Sequence, residues 1–387
     1  MIKVVCSKCG EEYPFGTFLP CRKCGSALMV QYDLDALSQR LTRKSLESRR
    51  RDYGVWKYRE LLPLGRGRIV SLGEGGTPLV KCERLSDQIG LKELYVKNEG
   101  INPTGSFKDR YATVLVSHAI GQGIKKIYCF SSGNHAAALS CYTARAGLKC
   151  LAFVYLSSSG SSIFSETKLA QSMMYGAEVV TPIREGRSTP HGLDFYRIAY
   201  ENYGWYPAVV QPINPYLSEG YKTMAYEISE QLGWRAPDVV IMPTESGDGL
   251  LGIWKGFKEF NELGLISNMP RIVASQWGDV KDRYTGHEWS KRAIDETKGT
   301  VVYPAVEESI RYMDLLARRE GLLVEPISAS SVACISHLIE ESYIEKDDVV
   351  VAIATGSGMK HPNLAHKLAK KPTVIKAGEE LKSLAKA

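Results

Sequence analysis

The chain has 387 residues, of which 44% are hydrophobic and 24% are charged, so it can bury a large core and is neither disordered nor fibrous. At ~150 residues per domain, this length corresponds to two or three domains. The 49 Lys and Arg residues exceed the 43 Asp and Glu residues slightly, and the formal charge of +6 favours anionic ligands without the excess typical of nucleic-acid binding. No apolar run reaches the ~18 residues of a membrane span, and the N-terminus lacks the apolar core of a secretory signal. We expect a cytoplasmic protein that binds neither nucleic acid nor membranes.

Two pairs of cysteines lie near the N-terminus. Cys6 and Cys9 form one CxxC pair, Cys21 and Cys24 form another, and a glycine follows each pair directly. Each pair can fold as a tight turn that presents two thiolates, and two such turns complete the tetrahedral sulfur site that Zn²⁺ prefers. The pattern predicts a structural zinc ribbon over residues 1–30, because a segment this short has too few apolar residues to fold without a link. Four reduced, buried cysteines are the alternative.

The other five cysteines do not form a disulfide framework, because the total number is odd and they are scattered through apolar contexts. We interpret them as small core residues: Cys82, Cys129, Cys141, Cys150 and Cys334.

Residues 33–62 carry a basic run around Arg49, Arg50 and Arg51 with scattered leucines. This segment could form an anion or nucleic-acid patch beside the ribbon, or a solvated helical linker. Aromatic residues are not interleaved with the charges, as a nucleic-acid groove would require. We therefore favour the linker.

From about residue 91, short β-branched runs alternate with amphipathic helices. This alternation predicts an α/β fold with parallel sheets that carry helices on both faces, connected by right-handed crossovers. The predicted strands are ELYVKNE, KKIYCFSS, KCLAFVYL, AEVVTPI, DVVIMPT, RIVASQW and DDVVVAIAT. One unusual stretch is the serine-rich segment at residues 157–166, where a strand should be followed by a helix. Ligands of such sheets bind beyond the carboxyl ends of the strands, so the strand-to-helix junctions are the informative segments.

The first informative junction contains a lysine at the start of a helix. Lys108 lies in the segment NPTGSFKDR, where a loop enters the helix. A helix N-terminus is electropositive and disfavours an ammonium, which lowers the pKa of a lysine and favours its use as a nucleophile. An ordinary surface lysine is the alternative. The common phosphate, nucleophile and zinc-protease motifs are absent, so P-loop ATPase, dehydrogenase, hydrolase and zincin activities are disfavoured.

Three further junctions can bind anionic or polar groups. The segment FSSGNH at 130–135 offers backbone N–H groups suited to a carboxylate. The segment TESGDGL at 244–250 is small enough for a phosphate to approach the main chain. The segment TGSG at 355–358 follows the last strand. Each of these alone is a weak signal, because a turn of glycine and serine is usually only a turn.

Taken together, these segments resemble the fold-type II pyridoxal-phosphate enzymes, the tryptophan synthase β family, and among them most of all the threonine synthase family. The resemblance extends over nearly the whole chain, through GEGGTPL at 73–79, KNEGINPTGSFKDR at 97–110, INPYLSEGYKTMAYEISEQLGW at 213–234 and EPISASSVACI at 325–335. It implies two doubly wound parallel-sheet domains with an N-terminal zinc ribbon: a large cofactor-binding domain over 31–115 and 215–387, and a small inserted domain over 116–214. It also implies a homodimer and a small, phosphorylated amino-acid substrate.

The resemblance assigns a role to each junction. Lys108 would bind pyridoxal 5'-phosphate covalently and move the α-proton of the substrate, and Phe107 would flank the cofactor ring. Asn134 would contact the 3-hydroxyl of the cofactor, and Thr355 would face its ring nitrogen as a neutral partner, which favours elimination and replacement chemistry. The substrate carboxylate would lie on Ser131, Ser132, Gly133, Asn134 and His135, and the cofactor phosphate on Ser246, Gly247, Asp248, Gly249 and Leu250.

The chain departs from the family pattern mainly at the site. His135 stands where a threonine is usual, Tyr111 where a glycine is usual, and Asp248 lies beside the expected phosphate, which a carboxylate should repel unless it points away. The serine-rich segment 157–166 replaces a stretch that contains a lysine expected to contact the substrate phosphate. The serine-rich segment, the missing lysine and Tyr111 near Lys108 favour a shorter substrate in a reshaped pocket.

Two reactions therefore compete. The first, slightly favoured, is β-replacement on O-phosphoserine with sulfite, as in cysteate synthases of coenzyme M biosynthesis. The second is formation of threonine from O-phosphohomoserine, followed in order by serine or threonine deamination. A zinc-ribbon binding protein on an inactive scaffold is the non-enzymatic alternative, and the presence of Lys108, Asn134 and Thr355 argues against it.

Overall fold

A computed structural model describes residues 2–49, 54–154, 166–181, 193–276 and 288–369. In chain order its strands are β1 Ile2–Cys6, β2 Glu12–Tyr13, β3 Leu28–Tyr32, β4 Leu79–Lys81, β5 Glu93–Asn98, β6 Lys126–Phe130, β7 Lys149–Phe153, β8 Glu178–Val180, β9 Tyr206–Pro207, β10 Val239–Pro243, β11 Arg271–Ser275, β12 Thr300–Val302 and β13 Val349–Ala354. Part of the serine-rich segment, residues 157–165, lies outside the described residues, as do Arg50 and Arg51.

The helices lie between these strands, as the alternating pattern predicts. In chain order they are α1 Leu34–Ser38, α2 Arg43–Glu47, α3 Glu83–Ile89, α4 Lys108–Gly121, α5 Asn134–Ala146, α6 Glu166–Met174, α7 Leu193–Arg197, α8 Leu217–Tyr221, α9 Thr223–Gln231, α10 Asp248–Glu262, α11 Glu288–Glu296, α12 Val306–Glu320, α13 Pro326–Glu340 and α14 Pro362–Leu368. Within the described ranges, no helix is both long enough and apolar enough to cross a membrane.

Three sheets organise the described chain. The ribbon strands form an antiparallel sheet in the order β2-β1-β3, and β8-β7-β6-β9 form a parallel sheet. The largest sheet has the order β12-β11-β10-β13-β5-β4, in which only the edge strand β4 runs antiparallel. The predicted α/β fold with parallel sheets is therefore confirmed. The strands of the two parallel sheets fall inside the ranges predicted for the two α/β domains, whereas β3 extends to Tyr32, two residues past the predicted end of the ribbon. The domain boundaries themselves stay a prediction.

The strands of the large sheet are apolar on both faces because both faces are buried in the core. Val240, Ile241 and Val351 of the large sheet are fully buried, which is typical of parallel strands covered by helices on both sides. All five scattered cysteines are buried, as predicted. The linker interpretation of residues 33–62 is wrong in part: Leu46 and Leu61 are buried in the core rather than solvated.

The ribbon packs on the rest of the chain rather than standing apart. The Phe18 ring contacts Tyr206 edge to face, with the ring centroids 4.8 Å apart. Tyr32 donates a hydrogen bond of 2.7 Å to Glu219 in α8, and Lys255 in α10 donates to the carbonyl oxygen of Val30. The ribbon is thus continuous with the helices that surround the large sheet.

Candidate active site

The four predicted junctions lie at the carboxyl ends of β5, β6, β10 and β13, and they contact one another. The Phe107 amide donates to the Thr355 carbonyl oxygen at 2.8 Å, which joins the first junction to the last. A Cβ added at Gly249 would lie 3.1 Å from the Phe107 ring, so the loop after β10 packs on the same residue. The Asn134 amide donates to Glu325 at 2.8 Å, and a Cβ at Gly356 would lie 2.3 Å from that carboxylate. The structure therefore brings together all four segments that the sequence singles out.

Lys108 is the first residue of α4, as predicted. Its Nζ atom lies 4.6 Å from the centroid of the Phe107 ring and 5.4 Å from that of Tyr221, and the two rings stack on each other. No ion pair joins Lys108 to a carboxylate among the described residues. Burial lowers the pKa of Lys108 and outweighs the opposing charges of Asp248, Glu245 and Glu325. The direction agrees with the sequence prediction, but its main cause is desolvation rather than the helix N-terminus.

Thr355 is buried at the end of β13, and its hydroxyl lies 2.8 Å from the hydroxyl of Ser328. Ser328 also accepts a hydrogen bond of 2.9 Å from the Gly356 amide, so it fixes the loop that carries Thr355. Ser328 is a site residue that the sequence reasoning missed. The segment EPISASS was recognised as similar to the family, but nothing in it indicated a contact with Thr355.

The loop of residues 131–135 leads into the N-terminus of α5. Gly133 caps the helix in an extended conformation, and its amide donates to the Ser131 hydroxyl at 3.1 Å. Oδ1 of Asn134 is buried and has no hydrogen-bond partner among the described residues. His135 lies inside, with Nε2 2.8 Å from the Ala208 carbonyl oxygen, and burial lowers the pKa of this imidazole to about 3. His135 is therefore neutral, and its Nε2 donates to that carbonyl.

The loop of residues 246–250 forms the N-terminus of α10. Gly247 caps the helix with φ of 78°, a left-handed conformation that favours glycine. The Asp248 carboxylate accepts a hydrogen bond of 2.6 Å from the Ser246 hydroxyl and one of 3.0 Å from the backbone N–H of Gln211. These two donors fix the direction of the Asp248 carboxylate. The side chains of Ser246 and Asp248 bind each other, and the backbone is the part of the loop suited to an anion.

Tyr111 does not narrow the space beside Lys108 in the way the sequence suggests. It is fully buried, stacks on His135 with the ring centroids 4.7 Å apart, and donates a hydrogen bond of 2.8 Å to the His135 carbonyl oxygen. Two departures from the family pattern, Tyr111 and His135, are thus one packed pair. The pair connects α4 to the start of α5.

Glu325 is the second residue that the sequence reasoning missed. It precedes α13, is 1% exposed, and contacts Asn134 and Lys168, the latter with an N–O distance of 2.7 Å. His361 lies 3.4 Å from the same carboxylate. Although burial opposes ionisation, His361 and Lys168 lower the pKa of Glu325. Lys168 therefore adds a cationic group close to Asn134.

The four N-terminal cysteines also meet. The Sγ atoms of Cys6, Cys9, Cys21 and Cys24 lie within 4.8 Å of one another. The chain thus contains two separate candidate sites: the junction cluster around Lys108 and this sulfur cluster.

Comparison with known proteins agrees with this geometry. A family model described as "Pyridoxal-phosphate dependent enzyme" matches residues 70–356. Because this match covers most of the chain, the protein is a pyridoxal-phosphate-dependent enzyme of the α/β class, and a half-buried lysine among four strand-end loops suits that class.

The relatives narrow the class. The threonine synthase of Methanocaldococcus jannaschii is 39% identical over 96% of this chain and 96% of its own length. That of Methanosarcina acetivorans is 36% identical over 97% of this chain and 96% of its own length. That of Halalkalibacterium halodurans is 36% identical over 80% of this chain and 90% of its own length. The chain belongs to the threonine synthase family of fold-type II pyridoxal-phosphate enzymes, which confirms the resemblance.

Solved structures of more distant proteins share the fold. A crystal structure of O-ureido-L-serine synthase has a TM-score of 0.60 and 22% identity, and covers 76% of this chain and 94% of that protein. Serine racemase from Dictyostelium discoideum has a TM-score of 0.59 and 23% identity, and covers 73% of this chain and 92% of that protein. At this identity, the comparison establishes the fold alone.

Proposed function

We propose that this protein is a threonine synthase that converts O-phosphohomoserine to threonine and phosphate. The observation that carries the proposal is the similarity to curated threonine synthases along nearly the whole chain, at 39% and 36% identity. This was the second of the two sequence hypotheses. The relatives give no specific support to the favoured one, β-replacement on O-phosphoserine.

The residues around Lys108 suit pyridoxal phosphate. Glycines at 247 and 249 allow the loop to pack closely on its neighbours, since a Cβ would lie 2.3 Å from the Ser290 hydroxyl oxygen and 2.4 Å from Met242. Oδ1 of Asn134 is buried without a partner, as expected of a group that meets a ligand. When bound, the cofactor supplies the electron sink for a carbanion at the α-carbon of the substrate.

Each role then follows from the chemistry of one contact. Lys108, with its pKa lowered by burial, is the nucleophile for the cofactor aldehyde and the base at the α-carbon. The rings of Phe107 and Tyr221 form an apolar wall beside its Nζ atom. The Thr355 hydroxyl, held by Ser328, would be the neutral partner of the ring nitrogen. The backbone of 246–250 holds the cofactor phosphate, and Ser131 to His135 hold the substrate carboxylate.

The geometry weakens the argument for a shorter substrate. That argument used Tyr111, the missing lysine and the serine-rich segment, of which residues 157–165 lie outside the described residues. Tyr111 is engaged with His135, and Asp248 with Ser246 and Gln211. Lys168, close to Asn134 through Glu325, supplies a cation that the missing lysine would otherwise provide. None of these features requires a substrate shorter than phosphohomoserine.

One experiment separates the reactions. The purified protein is given O-phosphohomoserine alone, L-threonine alone, and O-phosphoserine with and without sulfite, and phosphate, oxoacid and amino-acid products are measured. We expect phosphate and threonine from phosphohomoserine at a rate well above any turnover of phosphoserine. Cysteate formed only from phosphoserine with sulfite would overturn the proposal in favour of β-replacement, and oxobutyrate from threonine would make the protein a dehydratase.

We also propose that Cys6, Cys9, Cys21 and Cys24 bind one structural zinc ion. The support is the mutual distance of their sulfur atoms, all within 4.8 Å, which suits four thiolates around one tetrahedral metal. We expect about one zinc per chain by metal analysis. Chelation should lower the melting temperature while turnover per folded molecule is retained. A metal-free protein of unchanged stability would contradict this proposal.

The homodimer is likewise a proposal, which light scattering in solution tests.

A further inference from the structure

The phosphate end of the candidate site has a second wall, formed by α11. Two residues in the first turn of this helix, Trp289 and Ser290, lie against Gly247 at the cap of α10. A Cβ built on Gly247 would lie 2.3 Å from the Ser290 hydroxyl oxygen and 3.8 Å from Trp289 Nε1. The Ser290 hydroxyl is therefore directed at the loop of residues 246–250.

This hydroxyl is unusual because it is buried without a partner. Ser290 is 0% exposed, and among the described residues no group forms a hydrogen bond with its Oγ atom. The Ser106 hydroxyl, two residues before Lys108, is likewise buried without a partner among the described residues. By contrast, Ser275 donates to Ser330 at 2.7 Å, and Ser328 pairs with Thr355. A buried hydroxyl without a hydrogen bond costs free energy, because folding removes its hydrogen bond to water. A ligand that accepts a hydrogen bond from this hydroxyl would recover that free energy on binding.

The loop that Ser290 faces presents backbone N–H groups rather than free side chains. The Ser246 hydroxyl donates to Asp248, and the Asp248 carboxylate also accepts from Gln211. α10 has 15 residues, so its N-terminal N–H groups carry the positive end of a full helix dipole. An anion at this end would meet the loop backbone on one side and Ser290 on the other.

We propose that Ser290 donates a hydrogen bond to the phosphate group of pyridoxal phosphate, and so is a cofactor-binding residue supplied by a segment remote from the phosphate loop. The inference depends on the part of the proposed function that places the cofactor phosphate on residues 246–250. It does not depend on the amino-acid substrate. The ligand class is a phosphate monoester, because its oxygens accept from both a hydroxyl and backbone amides.

The test compares two forms of the cofactor that differ only in the phosphate. Cofactor is removed from the full-length protein, and affinity for pyridoxal phosphate and for phosphate-free pyridoxal is measured by titration of the lysine-bound absorbance band. Ser290→Ala should weaken pyridoxal phosphate by about ten- to a hundredfold, the range for a hydrogen bond to a charged group. The affinity of the Ser290→Ala variant for pyridoxal should stay within about twofold of that of the wild type, because pyridoxal has no phosphate that Ser290 could contact.

Two further variants make the result decisive. Ser229→Ala is the matched control, because Ser229 is also fully buried but donates within α9 to Ala225; it should change neither affinity. Ser290→Cys, which is nearly isosteric and a weaker donor, replaces the alanine variant if that variant does not fold. Equal weakening of both ligands would show a structural role, and unchanged affinity for pyridoxal phosphate would show no contact; either overturns the inference. Failure of the wild type to bind pyridoxal phosphate would instead overturn the cofactor assignment itself.

Discussion

Lys108 and Arg110 lie two residues apart at the start of α4, and their surroundings are opposite in electrostatic character. Lys108 lies above the rings of Phe107 and Tyr221. Arg110 is 0% exposed and binds two carboxylates, with its Nε 2.7 Å from Glu99 and its Nη1 2.7 Å from Glu227. Burial lowers the pKa of Lys108, whereas Glu227 and Glu99 outweigh burial and raise that of Arg110. Of these two cations, only Arg110 is paired with carboxylates, and that pairing accounts for the opposite directions of the two pKa shifts.

The ion pairs of Arg110 hold in place the helix turn that carries Lys108. Lys97 in β5 also binds Glu227, at 2.7 Å, so two cations and two carboxylates balance each other behind the site. This network joins β5, α4 and α9, and it fixes the first turn of the helix on which Lys108 lies. A charged network of this kind positions residues, whereas an unpaired amine can react.

Removing Lys108 should have the largest effect of the variants considered. We expect Lys108→Ala to lower turnover by more than about a thousandfold, because the proposed function makes this residue both nucleophile and base. The free energy of unfolding of the cofactor-free protein should not fall, since the variant removes an ammonium that gains no ion pair. Borohydride reduction should no longer attach cofactor to the peptide that contains residue 108. A trapped adduct retained in Lys108→Ala would disprove the assignment.

Breaking the ion network at Arg110 should lower stability, which Lys108→Ala should not. Arg110→Met leaves Glu99 and Glu227 buried with too few cations, and we expect the free energy of unfolding to fall by about 3–5 kcal/mol. Chemical denaturation followed by tryptophan fluorescence measures it, and Glu227→Gln is a second route if the first variant does not fold.

The control for Arg110 is a pair at the surface. Lys92 and Asp347 lie 3.3 Å apart and are mostly exposed. Lys92→Met should cost less than about 1 kcal/mol, because solvent screens such pairs. Similar losses in the buried and the exposed variant would contradict the comparison between the two regions.

Asp109, between Lys108 and Arg110, should make stability depend on pH. Its carboxylate accepts hydrogen bonds from the Thr104 amide at 2.9 Å and from the Thr104 hydroxyl at 3.0 Å, but burial dominates and raises its pKa to about 7. An unfolded aspartate has a pKa of about 3.9. The folded state therefore holds a proton between about pH 4 and pH 7 that the unfolded state has released, and stability falls as pH rises through this window.

Asp109→Asn removes this titration and keeps an oxygen that accepts from Thr104. As pH rises from about 4 to 7, the free energy of unfolding of the variant should increase relative to that of the wild type by at most about 1.4 kcal/mol per pH unit. Above about pH 7 the difference should stay constant. Denaturation curves at several pH values measure the difference. Curves that stay parallel across the window would show that Asp109 is ionised in the folded protein.

The sequence predicts the strand-end residues well and their partners poorly. Lys108, Asn134, Gly247 and Thr355 each follow a recognisable strand, and the carboxyl ends of parallel strands must meet, so their proximity could be predicted. The partners arrive from remote segments. Glu325 lies 191 positions from Asn134, and no local pattern indicates that distance.

Side-chain direction is the second limit of the sequence. Asp248 belongs to the predicted phosphate loop, yet Gln211, 37 positions away, decides where its carboxylate points. Ser290 follows the same rule, because its contact with Gly247 depends on how α11 packs on the loop. Backbone positions in a loop follow from local chemistry, whereas the orientation of a side chain follows from tertiary packing.

Tyr111 gives the smallest expected effect and the sharpest distinction between the two regions of α4. It faces neither the ion network nor solvent, and its hydroxyl donates at 2.8 Å to the carbonyl oxygen of His135. Tyr111→Phe keeps the stacked ring and removes only this hydrogen bond, so stability should fall by about 0.5–1.5 kcal/mol. If the loop of residues 131–135 binds the substrate carboxylate, its altered position should raise KM and leave kcat nearly unchanged, because the group acts on binding in the ground state and in the transition state alike.

The matched control for Tyr111 is a tyrosine remote from the site. Tyr312 is also buried, and its hydroxyl lies 2.7 Å from that of Ser336, between α12 and α13. Tyr312→Phe should cost a similar free energy of unfolding with no change in KM, since both variants lose one hydrogen bond and only one of those bonds reaches the start of α5. Steady-state kinetics with the substrate identified above, together with denaturation of both variants, measures the contrast. Equal KM values for the two variants would mean that the pair formed by Tyr111 and His135 stabilises the fold without positioning the carboxylate loop.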